Sequence, residues 1–138
     1  MVTYVTILLV EGIINELNKY FVDCVVTKLM TGEQVKLLHK MKNLISNDYK
    51  RFACRNDRDY IQELLNIGIT ENEAWQEILT LSSKNYYPDY KLFSSKNGDD
   101  ALIFKKYING YIVYIKLKIE QYNNSEMTVC LSFHIDHK

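Results

Sequence analysis

The chain has 138 residues, of which 47% are hydrophobic and 25% are charged, and its formal net charge is zero. This composition suits one globular domain with a real core, and the neutral charge argues against a uniformly basic nucleic-acid binder. The charges are nevertheless segregated: residues 35–58 carry seven Lys/Arg against two Asp, and residues 84–118 carry seven Lys against three Asp. One face of the protein can therefore be basic although the net charge of the chain is zero.

The amino-terminal residues 1–32 are predicted to form a helical extension of a single domain that covers 1–138. Apolar side chains follow helical spacing from Val10 to Val25, which predicts an amphipathic helix over about 10–27. The apolar run at 5–10 lacks a preceding basic segment and is too short to cross a membrane. We therefore expect neither a secretory signal nor a membrane partner.

The three cysteines, Cys24, Cys54 and Cys130, are widely spaced and form no cluster with the spacing of metal ligands. Their odd number suits reduced thiols in the cytoplasm. We predict no metal site and no cofactor. A Cys130 nucleophile assisted by His134 is an alternative, since simple alternation would place both side chains on one face of a strand.

A second helix is predicted over about 33–46, and it is followed by a basic segment at 47–58 that contains two aromatic residues. This segment has two interpretations, a plain connector or a loop that contacts RNA. Asp57 is predicted to cap a third helix over 58–66 that ends at Gly68. The side chains predicted to be buried in this helix are Tyr60, Ile61, Leu64 and Leu65.

A fourth helix is predicted over 71–82, because Thr70 and Glu73 have the spacing of a capping box. Its predicted buried side chains are Trp75, Ile78 and Leu79. Pro88 then breaks the pattern, and residues 88–100 are predicted to form a polar loop.

Three strands are predicted in the carboxyl-terminal part, at about 102–107, 111–119 and 127–135. Asn109-Gly110 suits a type I′ turn between the first two, since both residues tolerate positive φ. A polar loop at about 120–127 is expected before the third. We predict an α+β fold, in which an antiparallel sheet of at least three strands carries helices on one face.

Strand side chains alternate between the two faces of a sheet, so each strand can be divided into two sets. One set is apolar; in the third strand it runs Met127, Val129, Leu131, Phe133 and Ile135. The other set gathers Lys105, Tyr114, Lys116, Ser132 and His134 on a second face, with no carboxylate within the strands. Such a face is either a solvated sheet surface or a site for phosphate and RNA, because lysine attracts phosphate, aromatic rings stack on bases and histidine exchanges protons near neutral pH.

The segments Leu64–Thr70, Ile78–Tyr87, Ile103–Lys106, Val113–Ile119 and Val129–His134 together resemble the MqsR family of bacterial toxins. The resemblance covers about residues 34–136. Its most specific pieces are Val-Tyr-Ile-Lys at 113–116 and Val-Cys-Leu-Ser-Phe-His at 129–134. It implies a RelE-like fold, metal-free endoribonuclease activity on mRNA in the cytoplasm, and neutralisation by a cognate antitoxin.

The resemblance also implies roles for individual residues. His134 corresponds to the catalytic position after Ser-Phe, Tyr114 and Lys116 to the Tyr and Lys of the Val-Tyr-x-Lys strand, and Lys105 to a polar position of the first strand. Family members commonly have Lys after the aromatic-Tyr pair, where this chain has Pro88, and Lys91 is the nearby substitute. The residues predicted to contact RNA are Lys106, Lys118, Tyr87 and Lys91. The alternative function is a non-catalytic RNA- or protein-binding module of the same fold.

Overall fold

The structure is a computed structural model that describes residues 30–88 and 101–137. The predicted helix over 10–27, the loop at 89–100 and Lys91 lie outside the described residues. The described helices are α1 (Gly32–Ser46), α2 (Tyr60–Ile67), α3 (Glu71–Leu79) and a short 3-10 helix (Ser83–Asn85). The strands are β1 (Lys50–Phe52), β2 (Leu102–Ile108), β3 (Tyr111–Tyr122) and β4 (Ser125–Ile135).

The four strands form one sheet in the order β1-β4-β3-β2, and three α-helices accompany it in the described part of the chain. The α+β class is confirmed. The antiparallel prediction is correct for β2, β3 and β4, but β1 pairs with β4 in parallel, so the sheet is mixed. No strand was predicted at β1, within the basic segment at 47–58, because three residues are too few to display an alternating pattern.

Two tight turns link the three antiparallel strands. Asn109 and Gly110 both have positive φ, at 51° and 84°, as the predicted type I′ turn requires. Asn123 and Asn124 also have positive φ, at 49° and 66°. The expectation of a loop over 120–127 was wrong, since this second two-residue turn lets β3 and β4 extend almost to their tips.

Side-chain caps set the helix boundaries. Thr31 and Thr70 form capping boxes with Gln34 and Glu73, so α1 begins close to its predicted start and α3 at its predicted start. The cap of α2 is Asp59 and not the predicted Asp57, so the helix begins two residues later than expected. Gly68 ends α2 in the left-handed conformation, as predicted.

Asp57 is unavailable as a cap because Arg55 engages it. The Arg55 guanidinium donates two hydrogen bonds to the Asp57 carboxylate, at 3.1 and 2.9 Å. These bonds hold the pKa of Asp57 below its ordinary value.

The helix predicted over 71–82 ends at Leu79. The Thr80 hydroxyl donates to the Glu77 carbonyl at 2.8 Å, and the Lys42 ammonium donates to the Leu81 carbonyl. The Thr80 side chain thereby adds a second hydrogen bond to a carbonyl that already accepts the Thr80 backbone N–H, and the Lys42 ammonium binds the first turn beyond the helix. Leu81 is fully buried just beyond the helix, which fixes the direction in which the chain leaves it.

The helices cover one face of the sheet, and the core lies between them. Phe52 enters this core from β1, with its ring stacked on Tyr60 at 4.7 Å and 4.7 Å from Trp75. Trp75 and Ile78 are buried as predicted, whereas Leu79 is only half-buried. The predicted buried face of α2 was partly wrong: Ile61 and Leu65 are 57% and 65% exposed. Leu64 is buried as predicted, and Ile67, one turn further along on the side facing the sheet, is buried with it.

A β-bulge divides β4 into two halves. Lys116 pairs with Ser132, but the next residue of β3, Leu117, pairs with Cys130, so Leu131 has no partner. A bulge adds one residue to one strand and thereby reverses which side chains face the core. The predicted alternation holds for Phe133 and Ile135 and was wrong before the bulge. Thr128 and Cys130 face the helices there, and the Thr128 hydroxyl donates to the Met41 carbonyl at 2.9 Å.

Candidate RNA-cleavage site on the outer face of the sheet

The outer face is the side of the sheet opposite the helices, and three of its cross-strand rows of side chains lie at and beside His134. The middle row joins Lys105, Tyr114 and His134 across β2, β3 and β4. A second row consists of Ile103, Lys116 and Ser132, and a third consists of Tyr107 and Ile112. The alternation of β2 and β3 predicted that Lys105, Tyr114, Lys116 and His134 share one face, and the strand registers place them there.

Tyr114 and His134 form a stacked pair at the centre of this face. Their ring centroids are 5.2 Å apart and the ring planes differ by 21°. Nδ1 of His134 lies 2.9 Å from the carbonyl oxygen of Ile135. A carbonyl oxygen only accepts hydrogen bonds, so Nδ1 must carry the hydrogen. In the neutral ring Nε2 then holds the lone pair, which is the arrangement of a proton acceptor.

Lys105 has two partners on the outer face. Its ammonium lies 2.6 Å from a carboxylate oxygen of Asp136 and 3.9 Å from the ring centre of Tyr87. The Asp136 side chain is only 9% exposed. Asp136 also donates its backbone N–H to the Ile112 carbonyl, so the ion pair reaches across β3 between Ile112 and Tyr114.

The expectation of a face without a carboxylate is therefore corrected. Asp136 follows the last residue of β4, and the prediction of this face covered strand residues alone. The available signal was its position two residues after His134, since alternation continued past the strand end places both side chains on one face.

Lys116 lies beside the stacked pair, in the neighbouring row. Diagonal neighbours on adjacent strands are about 7–8 Å apart, which brings the Lys116 side chain within reach of His134. Within the described residues, no hydrogen bond or ion pair engages its ammonium. Ser132, its partner in the row, is only 8% exposed. Lys118 continues the same face of β3 and is half-buried.

The remaining residues predicted to contact RNA have different placements. Tyr87 is 45% exposed and lies against Lys105 at the edge of β2. Lys106 is on the helix side of the sheet, where its ammonium lies 2.6 Å from the Glu77 carboxylate and also contacts Thr80. Alternation predicts this separation from Lys105, because adjacent strand residues point to opposite faces.

The alternative of a Cys130 nucleophile fails on placement and chemistry. The bulge puts Cys130 on the helix side, whereas His134 is on the outer face. Cys130 is 2% exposed, and burial raises the pKa of its thiol well above the ordinary value. Among residues 30–88 and 101–137, no group of three or more His, Cys, Asp and Glu side chains is placed to hold a metal ion.

The basic connector places its arginines along β1 and the bulge. Arg51 pairs with Glu120 at 2.9 Å, and Arg58 lies 3.5 Å from Glu63. Arg55 reaches the Leu131 carbonyl at the bulge, at 3.5 Å. Each of these three guanidiniums already has a carboxylate partner within the protein, so binding a phosphate there would compete with an ion pair.

Comparison with known proteins finds no matching family model, no significant match among curated proteins and none among solved structures. In the described part of the chain, no helix is both long enough and apolar enough to cross a bilayer.

Proposed function

We propose that the protein is a metal-independent endoribonuclease of the MqsR type, with the outer face as its active site. The observation that carries the proposal is the orientation of His134. Its Nδ1 hydrogen is directed to the Ile135 carbonyl and its ring is stacked on Tyr114, so Nε2 is the nitrogen available for proton transfer. A histidine held by its backbone and by a neighbouring ring is preorganised for such a role.

The proposed reaction is attack of a ribose 2′-hydroxyl on the adjacent phosphate. Nε2 of His134 accepts the hydroxyl proton, the new P–O bond forms, and the bond to the 5′-oxygen breaks. The products are a 2′,3′-cyclic phosphate and a free 5′-hydroxyl, once an acid has protonated the leaving oxygen. The Lys116 ammonium is the candidate for that acid, because the Asp136 carboxylate is engaged by Lys105.

Lys116 is the proposed stabiliser of the charge that develops on the phosphoryl oxygens. Its ammonium has no ion-pair partner among residues 30–88 and 101–137, so there it can turn to a phosphate without first breaking an ion pair. Lys105 contributes positive charge from the middle row, and Tyr114 orients the imidazole and offers a ring to a base. Lys118 and Tyr87 extend the same surface along the RNA.

A non-catalytic RNA- or protein-binding module is the second candidate, and the Lys105–Asp136 ion pair favours it. A carboxylate oxygen 2.6 Å from the ammonium offsets its charge, which lowers its stabilisation of the charge that builds on the phosphoryl oxygens during cleavage. In this case the outer face would hold RNA without cleaving it.

The proposal extends to fold type and partner by analogy with the MqsR resemblance. A RelE-like fold is supported by the three antiparallel strands with helices on one face. A cognate antitoxin in the same cytoplasm is expected to cover the outer face or an edge of the sheet. Purification of the untagged pair from its source, at a constant stoichiometry, tests this expectation.

The deciding experiment is cleavage of a defined mRNA in the presence of EDTA, with His134→Ala as the test variant. A positioned proton-transfer group typically contributes about 10²–10⁴-fold to the rate, so a loss of that size is expected. His39→Ala is the matched control, because His39 is exposed on α1, away from the outer face. A 2′-deoxy substitution at the cleaved position should abolish the reaction.

Two results would contradict the proposal. Full activity of His134→Ala would remove the histidine from the mechanism. Absence of cleavage by the parent protein, on several RNAs with and without ribosomes, would leave the binding module as the better explanation.

A further inference from the structure

The side chains in the third row of the outer face are exposed to solvent, and the proposed cleavage reaction gives them no role. Tyr107 is 72% exposed and Ile112 is 46% exposed, and they are direct cross-strand partners. Directly opposite residues on one face have side chains about 4.5–5.5 Å apart at Cβ, so the two form a continuous apolar platform. A ligand that packs on this platform would bury its exposed apolar area, which favours binding.

The position of this platform indicates what covers it. It lies two residues along β2 and β3 from the Lys105–Tyr114–His134 row, which is about 7 Å at the rise of an antiparallel strand. The Lys105–Asp136 ion pair crosses β3 between the two rows, and the Lys105 ammonium, whose side chain is 25% exposed, supplies a hydrogen-bond donor at the border. An aromatic platform beside a hydrogen-bonding border matches the apolar face and polar edge of a nucleobase.

We propose that Tyr107 and Ile112 form a base-binding subsite for single-stranded RNA. The inference rests on the proposed function, and it specifies that the substrate is unpaired next to the scissile phosphate. One base stacks on the Tyr107 ring, with Ile112 beneath its edge and the Lys105 ammonium along its polar side. A base in a duplex is stacked on both faces and cannot occupy this platform.

The test measures binding of a 2′-O-methyl oligonucleotide, which cannot be cleaved, so that affinity is separated from catalysis. Stacking on an aromatic side chain is worth about 1–3 kcal/mol per base, so Tyr107→Ala should weaken binding by roughly 5- to 150-fold. Tyr107→Phe keeps the ring and should bind like the parent. Because no phosphate contact is lost, the salt dependence of binding in Tyr107→Ala should stay unchanged.

The chain offers two matched controls for this measurement. Tyr122 is 56% exposed on the same face of β3 but at its far end, and Tyr111 is 42% exposed on the opposite face beside the turn. Alanine at either position should leave the affinity unchanged. Circular dichroism of all variants checks that the sheet is retained.

The outcomes separate this inference from the proposed function. Parent-like binding by Tyr107→Ala would overturn the base subsite, and so would equal binding of double-stranded and single-stranded oligonucleotides. Failure of the parent to bind the uncleavable oligonucleotide would overturn it as well. The endoribonuclease proposal is tested separately, by the His134→Ala cleavage assay, whose outcome does not depend on these binding results.

Discussion

Tyr114 and His134 stack with ring centroids 5.2 Å apart, and each comes from a different strand of the antiparallel unit. The contact fixes the imidazole plane, while the hydrogen bond to the Ile135 carbonyl fixes which ring nitrogen is free. The stack therefore predicts a positioning role that depends on the ring of Tyr114 more than on its hydroxyl.

Tyr114→Phe is expected to retain most of the cleavage rate, because phenylalanine preserves the stack. Tyr114→Ala should lose about tenfold or more, since a small misplacement of a catalytic group is costly. Single-turnover cleavage at saturating RNA provides the measurement. Equal losses in the two variants would assign the role to the hydroxyl.

Asp136→Asn tests the ion pair that crosses β3. The pair is partly buried, so its loss should reduce the free energy of unfolding by about 1–3 kcal/mol, between the values for exposed and buried pairs. Removing the carboxylate also frees the Lys105 ammonium, so RNA binding should tighten and become more sensitive to salt. Urea unfolding and binding titrations at several salt concentrations measure the two effects. Weaker RNA binding would indicate that Asp136 itself contacts the substrate.

The bulge in β4 explains why alternation predicted the residues of the outer face better than those of the core. Period-2 alternation located Lys105, Tyr114, Lys116 and His134 correctly, because β2, β3 and the end of β4 are regular where these residues lie. An extra residue at Leu131 reverses the pattern upstream, and a single apolar residue at that position does not reveal it. Alternation therefore could not predict that Cys130 faces the helices and not the outer face.

The first residue and the buried face of α2 were predicted only in part, for a related reason. Asp57 and Asp59 are both suitable caps for α2, and only the fold decides between them, through the pairing of Asp57 with Arg55. In the same helix, apolar residues at 60, 61, 64, 65 and 67 form a stripe wide enough to fit two orientations. The choice of Leu64 and Ile67 follows from where the sheet lies.

Burial of Cys130 predicts a dependence of stability on pH. The pKa of its thiol is raised above its ordinary value near 9, so the folded state keeps the proton when the unfolded state has lost it. Stability from this group is complete below pH 9 and is lost as the pH rises further, by at most about 1.4 kcal/mol per pH unit. Unfolding measured at pH 8 to 10.5 should show this slope, and Cys130→Ala should remove that part of it.

Native alkylation provides a second measurement. Cys54 is exposed and should react with iodoacetamide at pH 8, whereas Cys130 should be protected until the protein unfolds. Rapid labelling of Cys130 in the native state would contradict its placement on the helix side.

The capping box of α3 predicts a local contribution to stability. Thr70→Ala removes the acceptor for the Glu73 N–H, which is bonded at 3.1 Å, and should reduce the free energy of unfolding by about 1 kcal/mol. Asn72→Ala, an exposed change in the same turn, should have an effect of less than about 0.5 kcal/mol. Urea unfolding of both variants makes the comparison.

Lys106 and Lys116 are predicted to have opposite effects when replaced by alanine, although both belong to the basic strand segment. Lys106 bonds Glu77 and Thr80 at the end of α3, so Lys106→Ala should destabilise the fold and leave RNA binding nearly unchanged. Its charge also contributes, after burial, to the lowered pKa of Lys42, which should move back towards its ordinary value in this variant. Lys116→Ala should leave stability unchanged and weaken RNA binding, with the slope of log affinity against log salt reduced by about 0.7 for one lost phosphate contact. Thermal unfolding and salt titrations of both variants measure these effects, and a reduced salt slope in Lys106→Ala would place RNA on the helix side of the sheet as well.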